Sequence, residues 1–328
     1  LVRRAVEVVA GPAAGPAAGR VLALWLAWAA VSAEADTAFV TCQPANALAV
    51  IDLSGGKGRT DWVVGGAPAG VAIGPGGSVF TVATEGKTVR RHDASTGTVL
   101  AEAVLDGGPI GIAVDFGRGR VIVTDWFNAR AWVLDAVTLA PLAELATGAA
   151  PAGVALSDDG RYLATADKDS DQVSLFDAGS LQPLGAVAVG TRPFGLGFAP
   201  DGRLFVGNVG SNDVSVVDPV ARRVIATAPV GERPYGVAFA QGRAFVTDQY
   251  ASTVSVIDLA SLSPVATIEV GEYPEGIDSA ADGSAVIVVN WFDNSLMVID
   301  AIDLKVIDTV ETCDGPRAFG RFIAEGGQ

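Results

Sequence analysis

PFGLGFAPDGRLFVGNVGSNDVSVVDPVARRVIATAPVGERP, residues 193–234, holds one full copy of the unit from which the chain is built. It opens at Pro193-Phe194-Gly195 with a short apolar run, Leu196 to Ala199. Asp201-Gly202 makes a tight turn, because glycine reaches positive φ at no steric cost. Leu204-Phe205-Val206 is a second β-type run, Val214 to Asp218 a third and Arg223 to Val230 a fourth, with a polar loop over 208–213. Four short, β-branched-rich runs separated by turn chemistry predict a four-stranded antiparallel meander. One such sheet cannot bury its own faces and needs neighbours of its kind.

The neighbours are in the sequence. The Pro-x-Gly signal recurs at Pro68, Pro109, Pro151, Pro193, Pro234 and Pro274, with a variant at Pro316-Arg317-Ala318. An aspartate closes the third run at Asp52, Asp93, Asp135, Asp177, Asp218, Asp258 and Asp300. Both marks advance by 41, 42, 42, 41, 40 and 42 residues, in that order. A period near 40 with four strands per unit reads as a β-propeller, and runs alternating at two residues exclude stacked helical repeats. The expected fold is therefore all-β: a seven-bladed propeller over 36–323, followed by a short tail, 324–328. The phase of the repeat predicts a composite blade: Ala38–Thr41 and Ala47–Leu53 precede the first Pro-x-Gly, and Pro316–Ile323 is followed by no strand partners of its own. The chain's end then supplies the inner strand of the blade begun by its start, closing the ring without an open edge.

Phe39-Val40-Thr41, Val123-Thr124-Asp125 and Phe245-Val246-Thr247-Asp248 resemble the Tyr-Val-Thr-Asn signature of the YVTN-type β-propeller repeat proteins, as does the tail Gly315 to Gly320. The resemblance covers roughly residues 37–323. It implies the propeller fold and, by analogy with exported relatives, a binding or accessory role, including service to a periplasmic redox system. Fold alone does not assign function.

Residues 1–35 read as a cleaved export signal. Arg3, Arg4 and Arg20 lie ahead of the apolar run Val21–Ala30, and Ala33-Glu34-Ala35 fits a cleavage site. The run is short for a membrane span. The expected location is periplasmic or secreted, without a stable membrane anchor, and the expected form is a monomer. A net charge of −15 argues against nucleic acid as a partner. The two cysteines, Cys42 and Cys313, fall at the seam of the composite blade. A disulfide there is the leading expectation, with a redox thiol pair or two free thiols as the alternatives.

Candidate site residues gather in the loops that enter each inner strand and those that join second to third strands. These share one face of the ring, called the top. Trp126, Phe127, Tyr250, Tyr273, Trp291 and Phe292 read either as an exposed binding patch or as packing between blades. Arg192, Arg233 and Arg317 read either as a clamp for carboxylates or phosphates or as a structural network with Glu232, Glu272 or Asp314. The inner strands share a small residue at Ala72, Ala113, Ala155, Gly197, Ala238 and Gly320, where the sixth copy has Asp278. That carboxylate is expected to line the channel and pair with Arg321.

No nucleophile elbow, phosphate loop or dinucleotide fingerprint stands in context, and a single histidine, His92, excludes a three-His metal site. Asp167-Lys168-Asp169-Ser170-Asp171 lacks the glycine and terminal glutamate of an EF-hand. The leading expectation is thus a non-catalytic protein that binds a protein partner or a small anionic ligand at its top face, with no cofactor. The alternative is a propeller enzyme, lactonase-like or a dehydrogenase subunit, holding calcium through Asp125, Asp248, Asp293 and Asn208.

Overall fold

The computed structural model describes residues 36–53, 58–74 and 76–326. The export signal assigned to 1–35 lies outside the described residues, as do the last two residues of the tail. Seven four-stranded antiparallel sheets make the fold. Blade 1 runs over 37–63, and blades 2 to 7 over 68–104, 109–146, 151–188, 193–229, 234–269 and 274–311. In blade 5 the strands are Pro193–Phe198, Leu204–Asn208, Asp213–Asp218 and Arg223–Pro229, within a few residues of the four runs read from the sequence. No helix among the described residues is long and apolar enough to cross a membrane.

The two sequence marks have separate physical causes. At the third strand's end in blades 2 to 7 the aspartate carboxylate caps the following turn. Asp93 Oδ1 accepts from the amides of Ser95 and Thr96, Asp135 Oδ1 from those of Val137 and Thr138, and Asp218 Oδ1 from those of Val220 and Ala221. Side-chain hydrogen bonds from Ser95 and Thr96, with their amides, pull the Asp93 carboxyl down to about 2. The Pro-x-Gly mark is a β-bulge. Pairing between first and second strands slips just after the proline in blades 2 to 7. At the bulge the glycine lets the next blade approach. A Cβ on Gly70, Gly111, Gly153, Gly195, Gly236 or Gly276 would stand between 1.9 and 2.8 Å from a carbonyl oxygen of the following blade.

The threonines of the motif tie the same joint. Thr41 Oγ1 donates to Ala69 O (2.7 Å), Thr124 Oγ1 to Ala152 O (2.6 Å) and Thr247 Oγ1 to Glu275 O (3.2 Å), each acceptor lying in the next blade. Each hydroxyl also accepts an amide: Ala318 N, Gly111 N and Gly236 N respectively. The apolar faces then close between blades. Phe80 and Val82 of blade 2 pack with Ile112, Val121, Val123 and Trp132 of blade 3, and the remaining clusters repeat the arrangement around the molecule.

The C-terminal segment does not form the long inner strand expected from Pro316 to Ile323. Only Ile323–Ala324 is a strand, paired with Thr37 and Ala38. Upstream of it the segment bonds to both neighbouring blades in turn. Arg317 N donates to Thr41 O, Phe319 N to Ala69 O, Val71 N to Phe319 O, Ile73 N to Arg321 O and Phe39 N to Phe322 O. Serving two blades, its backbone cannot keep the register of either. Cys42 and Cys313 form a disulfide beside it, spanning a sequence separation of 271 residues. Both cysteines are buried.

Candidate functional site

The entering loops and the second-to-third-strand loops do share the top face, and hydrogen bonds fix them together. Trp126 N donates to Gly108 O, Lys168 N to Ala150 O, Val209 N to Arg192 O, Gln249 N to Arg233 O and Trp291 N to Tyr273 O. Beneath them lies a belt of buried polar residues at the ends of the second strands: Asp125, Asp167, Asn208, Asp248 and Asn290. Their ionisation differs with their partners. Asp125 takes amides from Gly108 and Phe127 and side-chain donors from Asn128 and Arg130, which together outweigh burial and hold its carboxyl low. Burial pushes Asp248 up to about 6, against the Ser255 and Thr253 hydroxyls on its Oδ2 and a weaker pull from the Gly231 and Ser255 amides. Burial also raises Asp167, against hydrogen bonds from Ser174, Gln172 and Thr165.

The residue between proline and glycine decides what stands over the axis. In sequence order it is Ala69, Ile110, Ala152, Phe194, Tyr235, Glu275 and Arg317. Phe194, Tyr235 and Phe319 interlock, with ring centroids 4.2 Å (Phe194–Tyr235), 5.2 Å (Phe194–Phe319) and 5.9 Å (Tyr235–Phe319) apart. Ala152, Ile110 and Trp126 join them. This aromatic plug was not foreseen, although Phe194 and Tyr235 stand in the repeat's most regular signal. Below it a cavity of about 340 Å³ is lined by Ala72, Ala113, Ala155, Gly197 and Ala238, the small residues anticipated there.

Asp278 lies on this wall, but its partner is backbone. Oδ2 accepts from Phe322 N (2.8 Å) and Ile323 N (3.0 Å), and Oδ1 from Ser279 N (2.9 Å). Burial raises its pKa, opposed by the charge of Arg321 and by these amides. Oδ2 is committed to holding the C-terminal segment, and the expected partner Arg321 acts on the carboxylate through its charge.

Of the three arginines, Arg317 and Arg233 both act by charge on the buried Glu275 and Tyr235. Arg317, third in the proposed set, occupies the Pro-x-Gly middle position, whereas Arg192 and Arg233 precede their prolines. Its guanidinium binds Glu275 through Nε (2.7 Å) and Nη2 (3.0 Å), donates to Gln43 Oε1 (3.0 Å) and lies 4.1 Å from the Trp291 ring centroid. Glu275 is 1% exposed and also accepts from Gln249 Nε2 at 2.6 Å. Burial raises its pKa against the pull of Arg317. Arg233 lies over the Tyr250 ring (4.7 Å) and donates to the Tyr250 hydroxyl (2.6 Å). Arg192 is exposed, and its amide is held by Asp171 Oδ1. A structural ion pair describes Arg317, with Glu275 as its partner in place of the expected Glu232, Glu272 or Asp314.

The aromatics separate into two groups. Trp126 packs against Phe194 (5.8 Å) under the Lys168 ammonium (4.8 Å), while Phe127 covers Gly108 and is 68% exposed. On blades 6 and 7 Tyr273 is the hub: Phe292 lies 4.6 Å away, Tyr250 5.5 Å and Trp291 6.4 Å, centroid to centroid. Tyr250 and Phe292 remain 52% and 62% exposed. Glu275 as the partner of Arg317 was not singled out from sequence, since a lone glutamate in a strand carries no motif.

The four residues considered for calcium bond within their own loops, although Asn208 Oδ1 and Asp248 Oδ1 are buried with no hydrogen-bond partner among the described residues. Asp125 and Asp248 are engaged as above, Asn208 donates to Asp213 and Ser215, and Asp293 accepts from Glu272 N. Among the described residues no group of three or more His, Cys, Asp or Glu side chains gathers as metal ligands would. The 167–171 segment is a single 3-10 turn, with Asp167 turned inward to Thr165, Gln172 and Ser174. His92 sits in the third strand of blade 2, buried and hydrogen-bonded to Thr81.

Comparison with known proteins agrees with this architecture. Hydrazine synthase from Kuenenia stuttgartiensis superposes with a TM-score of 0.69 at 18% sequence identity, over 77% of this chain and 89% of that chain. Identity that low concerns the fold alone. No curated protein matches the sequence. The family model of YNCE-like β-propellers matches residues 145–322, more than half of the chain, and it is this family rather than the YVTN repeat type that is matched. With its seven bladed sheets and that match, the chain belongs to the YNCE-like β-propeller family.

Proposed function

We propose that this propeller is a non-catalytic binding protein, exported to the periplasm or beyond, that engages a partner protein through the aromatic surface of blades 6 and 7. One observation carries the reading: Tyr250 and Phe292 stay more than half exposed while their neighbours hold them in place. Tyr273 packs between them, and Arg233 is stacked on and hydrogen-bonded to Tyr250. Aromatic rings fixed in the exposed state lose little side-chain entropy on binding, which suits an interface anchor. The disulfide fits an oxidising compartment, and the signal-like sequence of 1–35 accords with export. A small anionic ligand is less well supported, because Arg317 and Arg233 already have partners.

The test is photocrosslinking in cells, with benzoylphenylalanine placed at Phe292 on the top face or at Ile302 in the loop between third and fourth strands. A discrete adduct from position 292 and none from 302 is the expected result. Absence of an adduct from 292, or the same adducts from both positions, removes the reading.

A further inference from the structure

The charges around the same aromatic surface point to the chemistry of its partner. Glu232, Glu272, Asp293 and Asp314 are exposed in the loops that frame the rings. Their backbones are tied to the aromatic loops. Tyr250 N donates to Glu232 O, Phe292 N to Glu272 O, and Gly315 N, next to Asp314, to Asn294 Oδ1. The nearby cations do not cancel this charge towards a visitor. Arg317 is neutralised by the buried Glu275, while Arg233, stacked on one face of Tyr250 and bonded to its hydroxyl, keeps its charge and offsets one of the four acids, leaving the rim acidic. What faces outward is therefore two exposed ring systems inside an acidic rim, on a chain of net charge −15.

We infer that the surface of blades 6 and 7 receives a cationic protein segment, with lysine or arginine side chains laid across Tyr250 and Phe292 and their charges met by Glu232, Glu272 and Asp314. Aromatic faces attract ammonium and guanidinium groups, and acidic rims steer them in and reject acidic competitors. The inference rests on the proposed binding role of this surface and adds the class of partner to it.

Three synthetic peptides of equal length separate the two: one alternating lysine with glycine, one serine with glycine and one glutamate with glycine. Binding is followed by calorimetry at low and at physiological ionic strength. The lysine peptide is expected to bind, more weakly in salt. Y250A/F292A leaves the charge unchanged and is expected to weaken it about five- to tenfold. E232Q/E272Q/D314N should weaken it at least as much, whereas E85Q/D158N/D303N, with three exposed acids removed elsewhere, should not. Equal weakening by the two triple variants reduces the effect to bulk charge and overturns the inference. Preferential binding of the serine or glutamate peptide, lost in Y250A/F292A, overturns the cationic partner but keeps the surface as a binding site. No dependence on Tyr250 and Phe292 for any peptide overturns both. Thermal melts of each variant establish that the fold is retained.

Discussion

Single residues set the spacing between blades. Gly195 is the tightest: a Cβ there would lie 1.9 Å from the Tyr235 carbonyl oxygen. Neither backbone can retreat without disturbing the plug above, so Gly195→Ala should cost about 1–3 kcal/mol and lower the melting temperature. Gly117→Ala, whose nearest neighbour would be 3.9 Å away, is the matched control and should melt close to the parent. Asp248 makes the opposite case, a residue the fold tolerates at a cost. Its carboxyl, raised to about 6 by burial, binds a proton more tightly in the folded state than the ordinary carboxylate of the unfolded chain. Its penalty is absent below about pH 4, grows as pH rises towards 6, and is complete above that, so this group lowers stability as pH increases through the window. Asn208 and Asn290 fill the equivalent positions in blades 5 and 7, each donating through Nδ2 to a serine hydroxyl. Asp248→Asn should therefore raise stability at pH 7 by roughly 2 kcal/mol and flatten its pH dependence between 4 and 6, as read by denaturant melts.

Among elements, the C-terminal segment depends for its order on a side chain from blade 7. Its last strand is two residues long, and Asp278 of blade 7 supplies acceptors for Phe322 N and Ile323 N. Asp278→Ala should speed amide hydrogen exchange at these two positions well before global unfolding, with blade 4 amides unchanged. Asp278→Asn keeps one oxygen acceptor and should fall between. If both variants exchange like the parent, the segment is held by its other contacts and the carboxylate is incidental.

At the scale of the molecule, seven sheets depend on one another through faces they share. The repeat made this legible, because Pro-x-Gly and the strand-ending aspartates each answer to a local requirement, a bulge with a close neighbour and a capped turn. Such requirements leave a mark at a fixed position. The candidate site was less legible. Alignment of the repeat places Phe194 and Tyr235 at one level over the axis, yet their packing with Phe319 needs a residue outside the repeat. Arg317 looked equivalent to Arg192 and Arg233 from its nearness in sequence to a proline. The difference of register sends it to Glu275, a pairing across 42 residues that no short pattern announces.

The same scale fixes the worth of the disulfide. Closing a loop of this length restricts the unfolded chain by about 5 kcal/mol in the chain-entropy account, so Cys42→Ser/Cys313→Ser should melt at clearly lower temperature than the oxidised parent. An unchanged melting temperature would mean that the seam is held by its hydrogen bonds and packing alone. The bond also decides how the molecule answers to force. Tension applied at residues 36 and 326 passes from Cys42 to Cys313 through sulfur, and the 271-residue separation between them is bypassed. Drawn by its ends, the propeller should yield only the slack of its two short outer segments and then stiffen like a covalent tether; with the bond reduced, the blades between should pay out in turn.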